Sequence, residues 1–274
     1  MDSNTLIALA SAGLSALTAI GAGVVGTRST IQTRRLEHEL ARELRQETRT
    51  EQAERVMRQY RDPLLQAANT LQGRLFNIVR LNYLDHYLHC GDPGEERYAR
   101  DYTVFAIAEY LCWVEILAKE LRFLDAGDLA GNKALLAQLD LIQVTFQSDR
   151  LPEAFRVFRG RQRAIGELMM VPTGAVDGPR HECRGFAAFS RALDDDPVFA
   201  AWFAPLHADV YRLVGAKPEQ VTRLVLLQRQ LIELIDFLDP EHTRLPTPHR
   251  AQLPPPELAS AGSAGAGGGE GWRG

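Results

Sequence analysis

The chain has almost no lysine: Lys119, Lys133 and Lys217 are the only ones within a Lys-plus-Arg total of 31. Arginine codons are richer in G and C than lysine codons, so this bias points to a GC-rich bacterial genome. Cysteine is scarce as well. Cys90, Cys112 and Cys183 are odd in number and widely spaced, which argues against a disulfide framework and fits a reducing compartment. Charge of one sign is not in surplus, because the formal net charge is -4 over 274 residues. A nucleic-acid partner would call for a basic excess, so none is expected. There is no phosphate-cradling GxxxxGK(S/T) loop, no HExxH, no GxSxG and no kinase signature set. No run of alternating residues is long enough to specify a sheet, and no internal repeat is visible. What survives these exclusions is an all-α protein without a catalytic signature, more a binding module than an enzyme, and no cofactor is expected.

Charge is also missing locally. From Ser3 to Gly26 there is no ionisable side chain, and Arg28, Arg34 and Arg35 follow. About 20 mostly apolar residues span a hydrocarbon core of roughly 30 Å, so residues 4–26 read as a single-pass transmembrane anchor. A cleaved secretory signal would carry basic residues ahead of the run, whereas Asp2 stands there. A third reading is a soluble helix that packs on a partner. The one-sided arginine flank puts the N-terminus outside and the main domain in the cytoplasm, at a bacterial plasma membrane. The lipid bilayer is then the first expected partner. Ala8, Ala12 and Ala16, then Ala19 with Gly23, repeat small residues at a spacing of four, which lets helices approach closely. A homo-oligomer formed through the anchor or stalk follows as an expectation.

Glycine and proline are absent from residues 28–60, which are rich in Glu, Arg, Gln, Ala and Leu. This composition predicts a juxtamembrane helical stalk. Leu36, Leu40 and Leu44 form one apolar stripe, too short and too regular for an extended coiled coil. Residues 62–244 read as an all-α bundle. Asp62-Pro63 suggests a helix start, continuing to about 89, and Gly91-Asp92-Pro93-Gly94 a turn. The helix expected at about 95–124 is apolar on every face between Thr103 and Ala118, which marks a protein interior. Further helices are expected at 132–147, from Pro152 onward, at 184–193, at 197–214 and at 218–238. The last buries Val221, Leu224, Val225, Gln228, Leu231 and Ile232. Residues 171–185 read as loop. Residues 245–274, rich in Pro, Gly and Ala, read as a disordered tail.

Candidate chemistry is sparse. His86, His89 and Cys90 cluster near a helix end, too few for a zinc site on their own, and no metal is expected. Glu109 and Glu115 sit in the most apolar helix, where a carboxylate must find a partner or hold a proton. Arg159, Arg161 and Arg163, in the basic run that begins at Arg156, are with Glu167 the natural partners. Two readings follow. The six residues either form a buried ion-pair network that fixes helix packing, or they line a pocket for an anionic ligand in a membrane-tethered sensor or enzyme. Arg74 and Asn77, with Asn82 and Asp85, decorate the first domain helix and are either solvated or turned toward the same interior.

Overall fold

The computed structural model describes residues 59–123, 130–174, 181–245 and 250–256, together with Ala41, Arg42, Leu44, Thr48 and Glu51, each of them helical. The chain divides into two compact units, Met1–Glu54 and Arg55–Gly274. The expected anchor, most of the expected stalk and residues 257–274 lie outside the described residues. Among the described residues no helix is long and apolar enough to cross a membrane.

The second unit is overwhelmingly helical. Helix α1 covers residues 59–81, followed by α2 (Tyr83–Tyr87), α3 (Pro93–Phe123), α4 (Ala130–Gln147) and α5 (Arg159–Met169). A hairpin of β1 (Met170–Pro172) and β2 (His181–Cys183) comes next, then α6 (Phe186–Asp195), α7 (Pro197–Arg212), a 3-10 turn at Pro218–Val221 and α8 (Thr222–Leu238). Helix α3 is the centre, packed against α5, α6, α7 and the hairpin, while α4 lies along α8. Val104, Ile107, Leu111, Val114, Ile116 and Leu117 are all buried, as expected of a helix apolar on every side.

Four local expectations are corrected. Helix α1 is already formed at Gln59 and runs through Pro63. Asp62 does not open it but pairs with Arg244 at 2.8 Å, while the Arg61 Nε donates to the Leu238 carbonyl. The same helix stops at Leu81 instead of 89, because Asn82 adopts φ 49° and ψ 42°. Asparagine tolerates this left-handed conformation better than most residues, and the break turns Tyr83 back toward α1. Pro152 opens no helix. Residues 151–158 form a loop in which buried Phe155 has φ 57°, held there by its N–H donating to Asp209 Oδ2 at 2.9 Å. Finally, residues 170–172 and 181–183 pair antiparallel, with Met170 opposite Cys183. Three-residue strands are too short to show alternation in sequence.

Two devices hold these elements. Gly166 on α5 faces α3 so closely that an added Cβ would lie 2.7 Å from the Leu111 carbonyl oxygen. The glycine serves the close packing of α5 on α3. Arg223 on α8 is fully buried and donates to the carbonyls of Thr145, Phe146, Ser148, Leu151 and Pro152. It therefore satisfies backbone acceptors at the end of α4 that no helix bond reaches. Burial lowers its pKa to about 10, which leaves it charged at neutral pH.

The expected tail boundary at 245 also moves. Buried Asp239 accepts hydrogen bonds from the N–H groups of Thr243, Arg244 and Leu245. Arg250 pairs with Asp239 and Asp236, each at 2.6 Å. Leu253 is buried, and its N–H donates to Gln228 Oε1 at 3.0 Å. Residues 250–256 are thus a strap on the domain, fixed by specific side chains that composition alone does not reveal.

Candidate functional site

The six residues singled out from the sequence do not share one site. Glu115, only 8% exposed, meets Arg163 Nε at 3.5 Å, and Arg163 in turn meets Glu167 at 3.3 Å. Lys119 also reaches Glu167 at 3.3 Å. This is an ion-pair chain between α3 and α5, and Gly166 lets it form by bringing the helices together. Arg163 is 54% exposed, so solvent screening keeps the pair near the 0–1 kcal/mol of surface bridges, well below the value for a fully buried one. Arg159 points to α4 and bonds Asp140 and Gln143. Arg161 donates to the Trp202 carbonyl on α7 at 3.2 Å. Glu109 is half-buried with no ion pair among the described residues, and burial raises its pKa.

The metal-type residues are scattered as well. His86, His89 and Cys90 are exposed, and His86 sets its ring edge-on to Tyr87. Among the described residues no three His, Cys, Asp or Glu side chains gather for a metal. Cys112 and Cys183 are neighbours across α3 and β2. The Cys112 thiol and burial both push the Cys183 pKa upward, so Cys183 remains a protonated thiol and a poor nucleophile.

A different feature stands out on α1. A cleft of roughly 260 Å³ is lined by Asn69, Thr70, Gln72, Gly73, Arg74, Asn77 and Tyr102. Arg74 is only 7% exposed. Its guanidinium carbon lies over three tyrosine rings, 4.3 Å from the centroid of Tyr83, 4.9 Å from Tyr102 and 5.8 Å from Tyr98. The Asn82 break supplies the first ring. Tyr98 and Tyr102, one turn apart on α3, supply the others. Such contacts are worth about 0.5–2 kcal/mol each, more when desolvated. They do not replace an anion. Arg74 Nη1 is sealed from solvent without a hydrogen-bond partner, and no carboxylate among the described residues pairs with Arg74. Burying a charge without a counter-charge costs several kcal/mol, so this arginine is a costly feature of the free protein.

The amides beside it are oriented by a relay anchored in the C-terminal strap. Gln228 Oε1 accepts from the Leu253 N–H, and its Nε2 donates to the Ala251 carbonyl at 2.8 Å. Backbone groups have fixed polarity, so the Gln228 amide has one orientation. Its Nε2 also donates to Gln72 Oε1 at 3.1 Å, and Gln72 Nε2 donates to Asn69 Oδ1 at 3.1 Å. The relay therefore ends with the oxygen of Asn69 occupied and its NH2 group available to the cleft. Burial, then Tyr98 and Glu109, raise the Tyr102 pKa, which keeps that phenol a neutral O–H. The lining offers donors and one cation, and it contains no His, Cys, Asp or Glu.

Sequence reasoning marked Arg74, Asn77 and Gln228 but missed the tyrosines and Gly73. The Tyr98–Tyr102 spacing was visible; the Asn82 break that brings Tyr83 to them was not. The string GxGxxG is present at Gly21–Gly26. It lies outside the described residues, within an uncharged run, and has its dinucleotide-binding meaning only between a strand and a helix. No protein-family model matches the chain, and neither a curated protein nor a solved structure is significantly similar to it.

Proposed function

We propose that the protein is a membrane-tethered binding module. In this reading residues 4–26 anchor it in a bacterial plasma membrane, residues 28–60 form the stalk, and the helical unit works in the cytoplasm through the Arg74 cleft. The observation that carries the binding role is Arg74 itself, a buried cation without a counter-charge on the wall of an open cleft. A lining that contains no His, Cys, Asp, Glu or Lys favours recognition over turnover. The dispersal of Glu109, Glu115, Arg159, Arg161, Arg163 and Glu167 supports a packing role for Glu115, Arg163 and Glu167 and weakens the alternative of an enzyme centred on that set. The tether rests on the uncharged run and its arginine flank, and self-association through the small-residue spacing belongs to the same proposal.

Cell fractionation tests the tether. The full chain should sediment with membranes, and a chain lacking residues 1–27 should move to the supernatant. Protease added outside intact cells should leave the domain uncut. Full-length chain in the soluble fraction, or a digested domain, would overturn this reading.

A further inference from the structure

Gly73 adds an observation independent of Arg74. It lies inside α1, where glycine is a poor choice: it loses more backbone entropy than alanine and contributes no side chain. Such a glycine usually marks a close approach or a left-handed turn. Here neither applies, since Gly73 has no positive φ and a Cβ built on it meets nothing within 4 Å. It opens directly onto the cleft beside Arg74. The protein carries an entropic cost to keep a space empty, and that space borders its uncompensated cation.

We infer that the space above Gly73 receives the carboxylate end of a small organic anion, held by the Arg74 guanidinium and the Asn69 amide. This rests on the cleft being the binding site of the tethered module. Three tyrosine rings surround the guanidinium carbon and Nη1 is sealed, so the edge left for a ligand is Nε with Nη2, a pair that matches the two oxygens of a carboxylate. The strap-anchored relay presents Asn69 as a second donor. Phosphate would share the donors but carries more than one negative charge near neutral pH. The lining has a single cation and otherwise neutral amides and hydroxyls, which balances one charge. The volume limits the occupant to a small molecule, and the neighbouring Tyr102 ring suits an apolar or aromatic body behind the carboxylate.

The test uses the purified full chain in detergent, titrated with sodium benzoate, sodium acetate and inorganic phosphate at constant ionic strength. Calorimetry and thermal melting are the readouts. Benzoate and acetate should raise the melting temperature in a saturable way, with benzoate tighter. Asn69→Asp, which sets an acceptor where the donor stood, and Gly73→Leu, which fills the space, should each weaken carboxylate binding at least tenfold while the chain remains folded. Arg74→Lys should weaken it similarly, because an ammonium cannot form the planar fork. Should that variant fail to fold, the other two still decide the matter. Carboxylate binding that survives Asn69→Asp and Gly73→Leu would overturn the assignment. Phosphate binding more tightly than benzoate, and lost in Gly73→Leu, would overturn the carboxylate but keep the cleft as the binding site. If no anion binds the folded chain, the site falls with the ligand, while the membrane tether stands or falls by fractionation alone.

Discussion

Replacing Gly73 separates folding from function more cleanly than any other substitution in this chain. In a helix interior, glycine is less favourable than alanine by roughly 0.5–1 kcal/mol, mostly through the freedom it retains when unfolded. At Gly166 a new methyl group meets neighbouring atoms and the gain is lost. At Gly73 it meets none within 4 Å, so the full gain should appear. Gly73→Ala is therefore expected to stabilise the protein by about 0.5–1 kcal/mol. For a domain of this size that corresponds to an increase of roughly 1–4 °C in Tm. Urea titration followed by circular dichroism gives the free energy directly, and thermal melting gives an independent value. Gly73→Leu should be at least as stable as the wild type, since leucine is a good helix former and projects into open space.

The refuting result is specific. If Gly73→Ala is destabilising by more than about 0.5 kcal/mol, the space is not open in solution, and something in the protein fills it. The argument for a reserved ligand position would then fail, whatever the fate of Arg74. A stabilised Gly73→Ala that binds carboxylate as before, beside a stabilised Gly73→Leu that does not, is the pattern expected of a site maintained at the expense of stability.

Gly166 should behave oppositely: Gly166→Ala places a methyl 2.7 Å from the Leu111 carbonyl oxygen and 2.9 Å from Glu115 Cβ. Such overpacking should cost about 1–3 kcal/mol by the same urea titration, and a neutral result would show that α3 and α5 can slide apart. Acid should destabilise the domain through Asp101 and Asp239. Burial alone would raise the pKa of Asp101, but His207 and Arg100 outweigh it and hold the group at about 2. Likewise the Leu245, Arg244 and Thr243 N–H groups overcome burial and hold Asp239 at about 2. Both are lowered below the ordinary unfolded value near 4, so their contribution is fully present above pH ~4 and fades as pH falls toward 2. Stability measured at pH 6, 4 and 3 should drop across the last interval, and Asp101→Asn should flatten that drop; an unchanged slope would refute the assignment. Truncation after Leu245 should lower stability by at least about 2 kcal/mol, the burial of Leu253 alone, whereas removal of residues 257–274 should leave the melting curve unchanged.

The helices were legible because their apolar residues recur at helical spacing over long stretches, as in α3 and α8. Gln228 was even placed on the inward face of α8 from spacing alone, which is where the structure has it. The ends were less legible. Pro63 reads as a start only if the chain before it is not helical, and the residues from Gln59 already are. The Asn82 break depends on one residue taking a conformation that its neighbours do not announce. The structure joins Glu115, Arg163 and Glu167 but spreads the arginines of the expected Glu/Arg set for a geometric reason. Arg159, Arg161 and Arg163 alternate along α5, and steps of two residues on a helix point in widely different directions. One side chain therefore meets α4, one α7 and one α3. The strap was missed because proline-rich composition describes the chain's local preferences, whereas Arg250 and Leu253 are held by long-range partners on α8.

Departures from local preference are informative here because of where they gather. Phe155 has an unfavourable φ, but the hydrogen bond its N–H donates to Asp209 and complete burial of its ring account for it inside the fold. Arg223 is a buried cation too, yet five carbonyls answer it, so its charge is part of the scaffold. Gly73, Arg74 and Asn82 have no such answers within the protein. The first leaves a space empty, the second lacks an acceptor, and the third breaks a helix to bring a third ring to that same arginine. Any one of them could be a tolerated imperfection. Gly73 and Arg74 line a single cleft of roughly 260 Å³, to which Asn82 is tied only through the Tyr83 ring beside Arg74, and a molecule that brought two oxygens to Arg74 would account for the first two at once. The amide relay adds a direction to this argument. Because it begins at the backbone of Ala251 and Leu253, the donor face of Asn69 depends on the strap being in place, so the proline-rich segment that composition marks as disordered is part of what shapes the cleft.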